Sequence, residues 1–201
     1  MEIIDWLIIN WIEVFGVISG LLFLYFEIKE NYLMWPLGLI SSALYLVIFF
    51  KTKFYADMSL QIYYVAISLY GWYYWTKGGK TDKKEDVPIQ QLKLKEGLMY
   101  LIISGVLFYF YSTILVKYTD SPLPYWDSFT TALSIVATFM LTRKIKEQWL
   151  VWIVVDAVSM SLYIQKELYP TAILFVVYTA LAIYGYVQWQ KSYKNLKTNN
   201  E

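Results

Sequence analysis

The chain contains no cysteine and no histidine. Without thiols there are no disulfides and no thiolate metal sites. Without imidazole the commonest metal ligand and the usual proton shuttle are missing. Zinc chemistry, Ser-His-Asp catalysis and haem ligation by histidine are thereby excluded, and no metal or cofactor is expected. Charge is scarce too: Asp, Glu, Lys and Arg make up 16% of residues, against roughly a quarter in soluble domains. What fills the space is apolar and aromatic, at 58% and 20% of the chain. A single soluble core of 201 residues could not hide that much apolar surface, so the chain reads as an integral membrane protein. The net charge of +1 says little until it is divided between two membrane faces.

The central stretch runs from Trp35 to Trp75: WPLGLISSALYLVIFFKTKFYADMSLQIYYVAISLYGWYYW. Two apolar runs, Trp35–Phe50 and Phe54–Trp75, are joined by Lys51-Thr52-Lys53. Each is about long enough to cross a hydrocarbon core of roughly 30 Å as a helix. Five further spans are expected at Trp6–Ile28, Leu98–Val116, Tyr125–Leu141, Trp149–Ile164 and Tyr169–Trp189. The first apolar run has no basic flank and no small-residue cleavage site, so it is expected to remain a span. Residues 77–97, with GGKTDKKED, read as a solvated loop, and the polar tail after Trp189 as disordered.

Seven spans put the termini on opposite faces. One face then carries Lys51, Lys53, Lys117 and Lys166, and the other carries the rest of the 17 Lys and Arg. The positive-inside rule places the N-terminus outside and the C-terminus in the cytoplasm. Laying Trp11–Trp75 on Tyr125–Trp189 without a gap reveals an internal repeat. Glu13 falls on Asp127, Phe15 on Phe129, Trp35 on Trp149 and Tyr55 on Tyr169; Tyr64 meets Tyr178, and Tyr70-Gly71 meets Tyr184-Gly185. The expected fold is therefore an all-α membrane protein of seven transmembrane helices, two parallel three-helix repeats joined by a linking helix. The boundaries are 1–76 for the first repeat, 77–97 for a cytoplasmic loop, 98–116 for the linking helix, 117–190 for the second repeat and 191–201 for a cytoplasmic tail. Transporters built from parallel repeats hold substrate near the repeat interface.

Polar groups inside the spans are the candidate site. Trp149, Trp152 and Asp156 stand at i, i+3 and i+7, on one helical face. A carboxylate below two indoles suits an organic cation through charge and cation–π attraction. The competing reading has Asp156 bonded to a neighbouring helix. Gln61, Tyr64 and Ser68 repeat that spacing with neutral groups fit for a sugar hydroxyl or carboxamide, or for interhelical bonding. Tyr178 joins them as the repeat mate of Tyr64. Ser41 and Ser42, with Ala43, suit helix packing or ligand contact. Glu13 and Asp127 either pair with backbone or flank an outer vestibule. No phosphate-cradling loop appears, which argues against an ATP-driven pump, and no nucleic-acid partner is expected. A membrane enzyme or sensor combining Asp156 with Glu13 or Asp127 is the alternative of a different class, disfavoured by the unequal depths of these carboxylates.

The runs GLISSALYLVIFFKTKFYADMSLQIYYVAISLYGWYYW, 38–75, and PYWDSFTTALSIVATFMLTRKIKEQWLVWIVVDAVS, 124–159, resemble the PnuC family of bacterial vitamin transporters. The resemblance spans nearly the whole chain, with Thr142-Arg143-Lys144, the WLVW of Trp149–Trp152 and the LeuTyrGlyTrp of Leu69–Trp72 as its most specific parts. It implies two three-helix repeats around a linking helix, the N-terminus outside, in the bacterial inner membrane. It also implies uncoupled uptake of a small vitamin, usually nicotinamide riboside, trapped by a cytosolic kinase. Thiamine is the alternative within the family, since both are aromatic cations. Many nicotinamide riboside members carry asparagine at the positions matching Ser41 and Asp156, and a Trp-Asn-Trp motif where this chain has Leu33-Met34-Trp35. Those departures bear on substrate rather than fold. A homo-oligomer is compatible with the sequence and not specified by it.

Overall fold

The structure, a computed structural model, describes residues 11–52, 55–77, 87–165, 167 and 169–199. Seven helices account for nearly all of them: α1 (Trp11–Ile28), α2 (Met34–Thr52), α3 (Tyr55–Lys77), α4 (Leu94–Tyr118), α5 (Pro124–Thr142), α6 (Gln148–Gln165) and α7 (Tyr169–Asn199). The all-helical expectation holds, and each expected span has its helix. α4, α6 and the Thr171–Thr198 part of α7 are each long and apolar enough to cross a membrane. Expectations for the chain before Trp11, for the side chains of Glu13, Lys51, Lys53 and Tyr55, for the lysines of 78–86 and for Lys166 lie outside the described residues.

The chain divides into two compact units, meeting in sequence at Val87 and Pro88. In the first, α2 packs against α1 and α3. In the second, α6 packs against α5 and α7, and α4 lies along α5.

The same local devices build both units. α1 ends with Glu30 at φ 55°, its N–H donating to the Glu27 carbonyl, and the Asn31 N–H reaching back to Phe26. α5 ends with Lys144 at φ 51°, its N–H donating to Leu141, and Ile145 reaching back to Met140. Both are Schellman ends, which satisfy carbonyls a helix terminus would leave bare. Each turn then hands the chain to a buried Trp. Trp35 lies edge-on to Trp75 at 5.6 Å, and Trp149 edge-on to Trp189 at 5.7 Å. Between each pair sits a glycine without room for more. A Cβ on Gly71 would come within 2.4 Å of the Trp35 ring, and one on Gly185 within 2.7 Å of Trp149. Glu30, Trp35, Gly71 and Trp75 are the repeat mates of Lys144, Trp149, Gly185 and Trp189.

Two expectations are corrected. Residues 87–93 are not a free solvated loop, since Val87 and Ile89 are buried while the residues around them stay exposed or half-buried. Gln90 forms a parallel bridge with Ile145, its N–H donating to the Lys144 carbonyl (2.9 Å) and its carbonyl accepting from Lys146 N–H (3.0 Å). The Leu92 N–H donates to Glu147 Oε2 (2.8 Å), and Glu147 Oε1 pairs with Lys146 Nζ (2.9 Å). The polar tail is not disordered either: α7 continues to Asn199. Tyr193 anchors that continuation, its hydroxyl 3.1 Å from Gln91 Oε1 and its ring 5.2 Å from the Lys146 ammonium.

Candidate functional site

Most hydroxyls in these helices are already satisfied. Ser104, Thr113, Ser128, Thr138, Ser161 and Thr179 each donate to the carbonyl four residues back on their own helix. Such groups have spent their one donor on their own helix. A smaller set behaves otherwise. Asp156 on α6 is buried, 6% exposed, with no hydrogen-bond or ion-pair partner among the described residues. Ser159 on α6 and Ser134 on α5 are buried and make no side-chain hydrogen bond to any described residue. In the first unit the same holds for Ser42, Ser68 and the half-buried Gln61 and Ser41. An unpaired polar group in an apolar span costs about 1–3 kcal/mol, and a carboxylate more.

Helix register brings part of the second set to one level. α6 and α7 are antiparallel neighbours, and Trp149 lies against Gly185. Moving along α6 from Trp149 to Asp156 corresponds to moving back along α7 from Gly185 to Tyr178. The α5–α6 turn, centred on Ile145, places Ser134 level with Asp156 in the same way. Trp152 stands one turn from Asp156 and is half-buried. Beyond Asp156, Tyr163 stacks on Phe175 at 5.1 Å, and Phe175 meets Tyr178 edge-on at 5.7 Å. The second unit thus offers an unpaired carboxylate, two buried hydroxyls and aromatic rings on three adjacent helices.

Trp149 does not belong to that group. Its ring is 0% exposed, locked between Gly185 and Trp189, and leaves no face on which a ligand could stack. The i, i+3, i+7 spacing puts Trp149 on the right stripe of α6, but the close approach of α7 fills the space above it. Of the two expected indoles only Trp152 is carried forward.

In the first unit Ser68 lies in the α2–α3 seam, its Oγ 3.3 Å from where a Cβ on Gly38 would sit. Tyr64 is half-buried, its ring tilted against Tyr63 at 5.5 Å. Among the small residues of α2 it is Ser42 that is buried, whereas Ser41 is half-buried and Ala43 exposed. Ser42 is the repeat mate of Asp156. Asp127 accepts a 2.6 Å bond from Ser121 Oγ and fastens the turn before α5. It stands seven residues of helix from the level of Asp156, roughly 10 Å of rise. Among the described residues no three acidic, His or Cys side chains gather to hold a metal ion. Asp127 and Asp156 do not converge as hydrolytic chemistry would need.

Sequence reasoning missed Ser134, Ser159, Tyr163 and Phe175. Continuing the α6 stripe by three and seven residues from Asp156 would have reached Ser159 and Tyr163. Phe175 was within reach as the repeat mate of Gln61.

The sequence profile of the family described as nicotinamide mononucleotide transporter matches residues 10–191. The nicotinamide riboside transporter PnuC of Escherichia coli (strain K12) is 28% identical over 92% of this chain and 87% of its own length. The protein of that name from Neisseria mucosa is 29% identical over 92% of this chain and 74% of its own. The riboflavin/roseoflavin transporter RibM of Streptomyces davaonensis is 27% identical over 90% and 85%. A crystal structure of the vitamin B3 transporter PnuC superposes with a TM-score of 0.73 at 29% identity, covering 92% of this chain and 83% of that one.

Proposed function

The chain belongs to the nicotinamide mononucleotide transporter family, and from that premise we propose that it is a facilitator for uptake of nicotinamide riboside. It is a multi-pass membrane protein and a transporter by family rather than an enzyme. The observation that carries the substrate reading is Asp156: buried in a membrane helix and bonded to no described residue. A permanent pyridinium cation supplies the missing counter-charge, and Trp152 supplies a ring face for cation–π contact. Ser134, Ser159 and Tyr178 offer hydroxyls to the ribose. In the first unit Gln61, Tyr64, Ser68, Ser41 and Ser42 are suited to ribose hydroxyls or a carboxamide.

The relatives named for nicotinamide riboside favour that vitamin, and the carboxylate favours a cation over an uncharged flavin ring. Thiamine, another aromatic cation, satisfies the same carboxylate and stands second. The protein sits in the bacterial inner membrane with its N-terminus outside and its C-terminus in the cytoplasm, as the lysine distribution supports. Net uptake needs no ion site: phosphorylation by a cytosolic kinase keeps the inside concentration of free riboside low.

Titration of the purified protein with nicotinamide riboside, thiamine and riboflavin, followed by tryptophan fluorescence, tests the reading. Saturable quenching by the riboside at the lowest concentration supports it. Tighter binding of thiamine transfers the assignment to that vitamin, and binding of neither cation overturns it.

A further inference from the structure

The second unit carries a set of lysines that transport does not use. The Gln91–Tyr193 bond fastens the last turns of α7 against the segment leading into α4. That tie gathers Lys93 and Lys95 from one strand of chain and Lys191 and Lys194 from the other at one end of the unit. All four are exposed, and none has an ion-pair partner among the described residues. The nearby carboxylates are occupied. Glu96 accepts from the Lys93 N–H at 3.2 Å, and Glu147 is held by Leu92 N–H and Lys146. Lys93 and Lys95 bracket the first residue of α4, where the helix dipole already makes a positive field and disfavours further cations. Between and beside them, Leu94 and Leu98 are 82% and 53% exposed and one turn apart.

We propose that Lys93, Lys95, Lys191 and Lys194 form a site for the headgroup of an anionic phospholipid, whose acyl chains lie against Leu94 and Leu98. A cation cluster stacked directly on an exposed apolar helix start matches an amphiphile of that design: phosphate at the lysines, hydrocarbon at the leucines. Free phosphate has no use for the leucines, and an acidic protein would leave them in lipid. The same end of the unit is the one that the lysine distribution assigns to the cytoplasm, where juxtamembrane lysines attract anionic lipid. This site is independent of which vitamin is carried.

The test is native mass spectrometry of the full-length protein in detergent with equal amounts of phosphatidylglycerol and phosphatidylcholine. The expected result is selective retention of phosphatidylglycerol, weakened by salt and falling by about fivefold for each lysine neutralised. The double variants K93Q/K95Q and K191Q/K194Q each lose part of the preference and the quadruple variant loses it. Lipid-free melting temperature and vitamin binding stay at wild-type values in both doubles. Equal retention of the two lipids by the wild type overturns the proposal, as does wild-type preference in both double variants. Displacement of the lipid by millimolar inorganic phosphate alone assigns the lysines to a free anion and also overturns it. Should the quadruple variant unfold, the salt dependence of lipid retention by the wild type still decides.

Discussion

A carboxylate in an apolar helix is held there by what it bonds to or by what it binds, and Asp156 bonds to no described residue. If its partner is the cationic ring of the substrate, removing the charge weakens binding without harming the fold. Asp156→Ala is expected to lower nicotinamide riboside affinity by roughly 10- to 100-fold, the value of a charge-assisted contact in a partly dry site. Asp156→Asn, which keeps shape and hydrogen bonding, falls between the two. Melting temperature rises or holds in both, because a buried unpaired carboxylate stabilises nothing in the empty protein. Tryptophan fluorescence titration and thermal unfolding in detergent measure the two effects side by side. Loss of melting temperature in parallel with affinity would mark Asp156 as a structural residue. Trp152→Ala is expected to cost several-fold in affinity, in keeping with about 0.5–2 kcal/mol for a cation–π contact, with Trp152→Phe keeping part of it. Trp149→Phe, by contrast, acts through stability, since its ring meets only protein.

At the level of the helix pair, the fold depends on two copies of one lock: tryptophan entering a helix, glycine opposite, a second tryptophan closing the edge. Gly185→Ala places a methyl group where the Trp149 ring already is, and Gly71→Ala does the same against Trp35. Each is expected to destabilise by about 1–3 kcal/mol, the usual cost of overpacking a filled seam, read as a lowered melting temperature. Trp149→Phe in the Gly185→Ala background recovers part of the loss, whereas it lowers stability in the native background. Failure of that reciprocal effect would show the seam to be slack. The register of its parts was legible in the sequence, because they are large or unique residues that recur at the same spacing: Trp35 and Trp149, Tyr70-Gly71 and Tyr184-Gly185. Their contact was not, and Trp149 was expected to face substrate instead. The left-handed turns at Glu30 and Lys144 were not legible either, since neither is glycine and only the backbone reveals their kinship. The docking of 87–93 escaped notice for a different reason. The segment is held by main-chain pairing of Gln90 with Lys144 and Lys146, and a short proline-containing run that follows a charged stretch gives no periodic sign of that. At the site, Asp156 announced itself as a charge among apolar residues. Ser134 and Ser159 did not, because a helical serine with a satisfied hydroxyl and one without look alike in sequence.

For the molecule as a whole, the reading requires a fixed orientation and movement without an energy source, and both are open to measurement. The natural absence of cysteine gives a silent background for labelling. A single cysteine at Asp120, between α4 and α5, is expected to react in intact cells with a membrane-impermeant maleimide. One at Thr198, near the end of α7, should react only after the cells are opened. The reverse pattern would invert the topology and with it the lysine argument. If Asp156 is matched by the substrate's own cation, the loaded site carries no excess charge across the bilayer. Proteoliposomes preloaded with unlabelled nicotinamide riboside should therefore take up labelled riboside by exchange at a rate unchanged by proton or sodium gradients. With no membrane potential imposed, net accumulation should appear only when a kinase and ATP are enclosed with the protein. The Asp156→Asn variant sharpens the point. It leaves the pyridinium charge unbalanced in transit, so its exchange should slow and become sensitive to membrane potential where the wild type is not, since each uncompensated charge feels about 2.3 kcal/mol per 100 mV. Wild-type exchange that follows the potential would show that Asp156 is not the counter-ion.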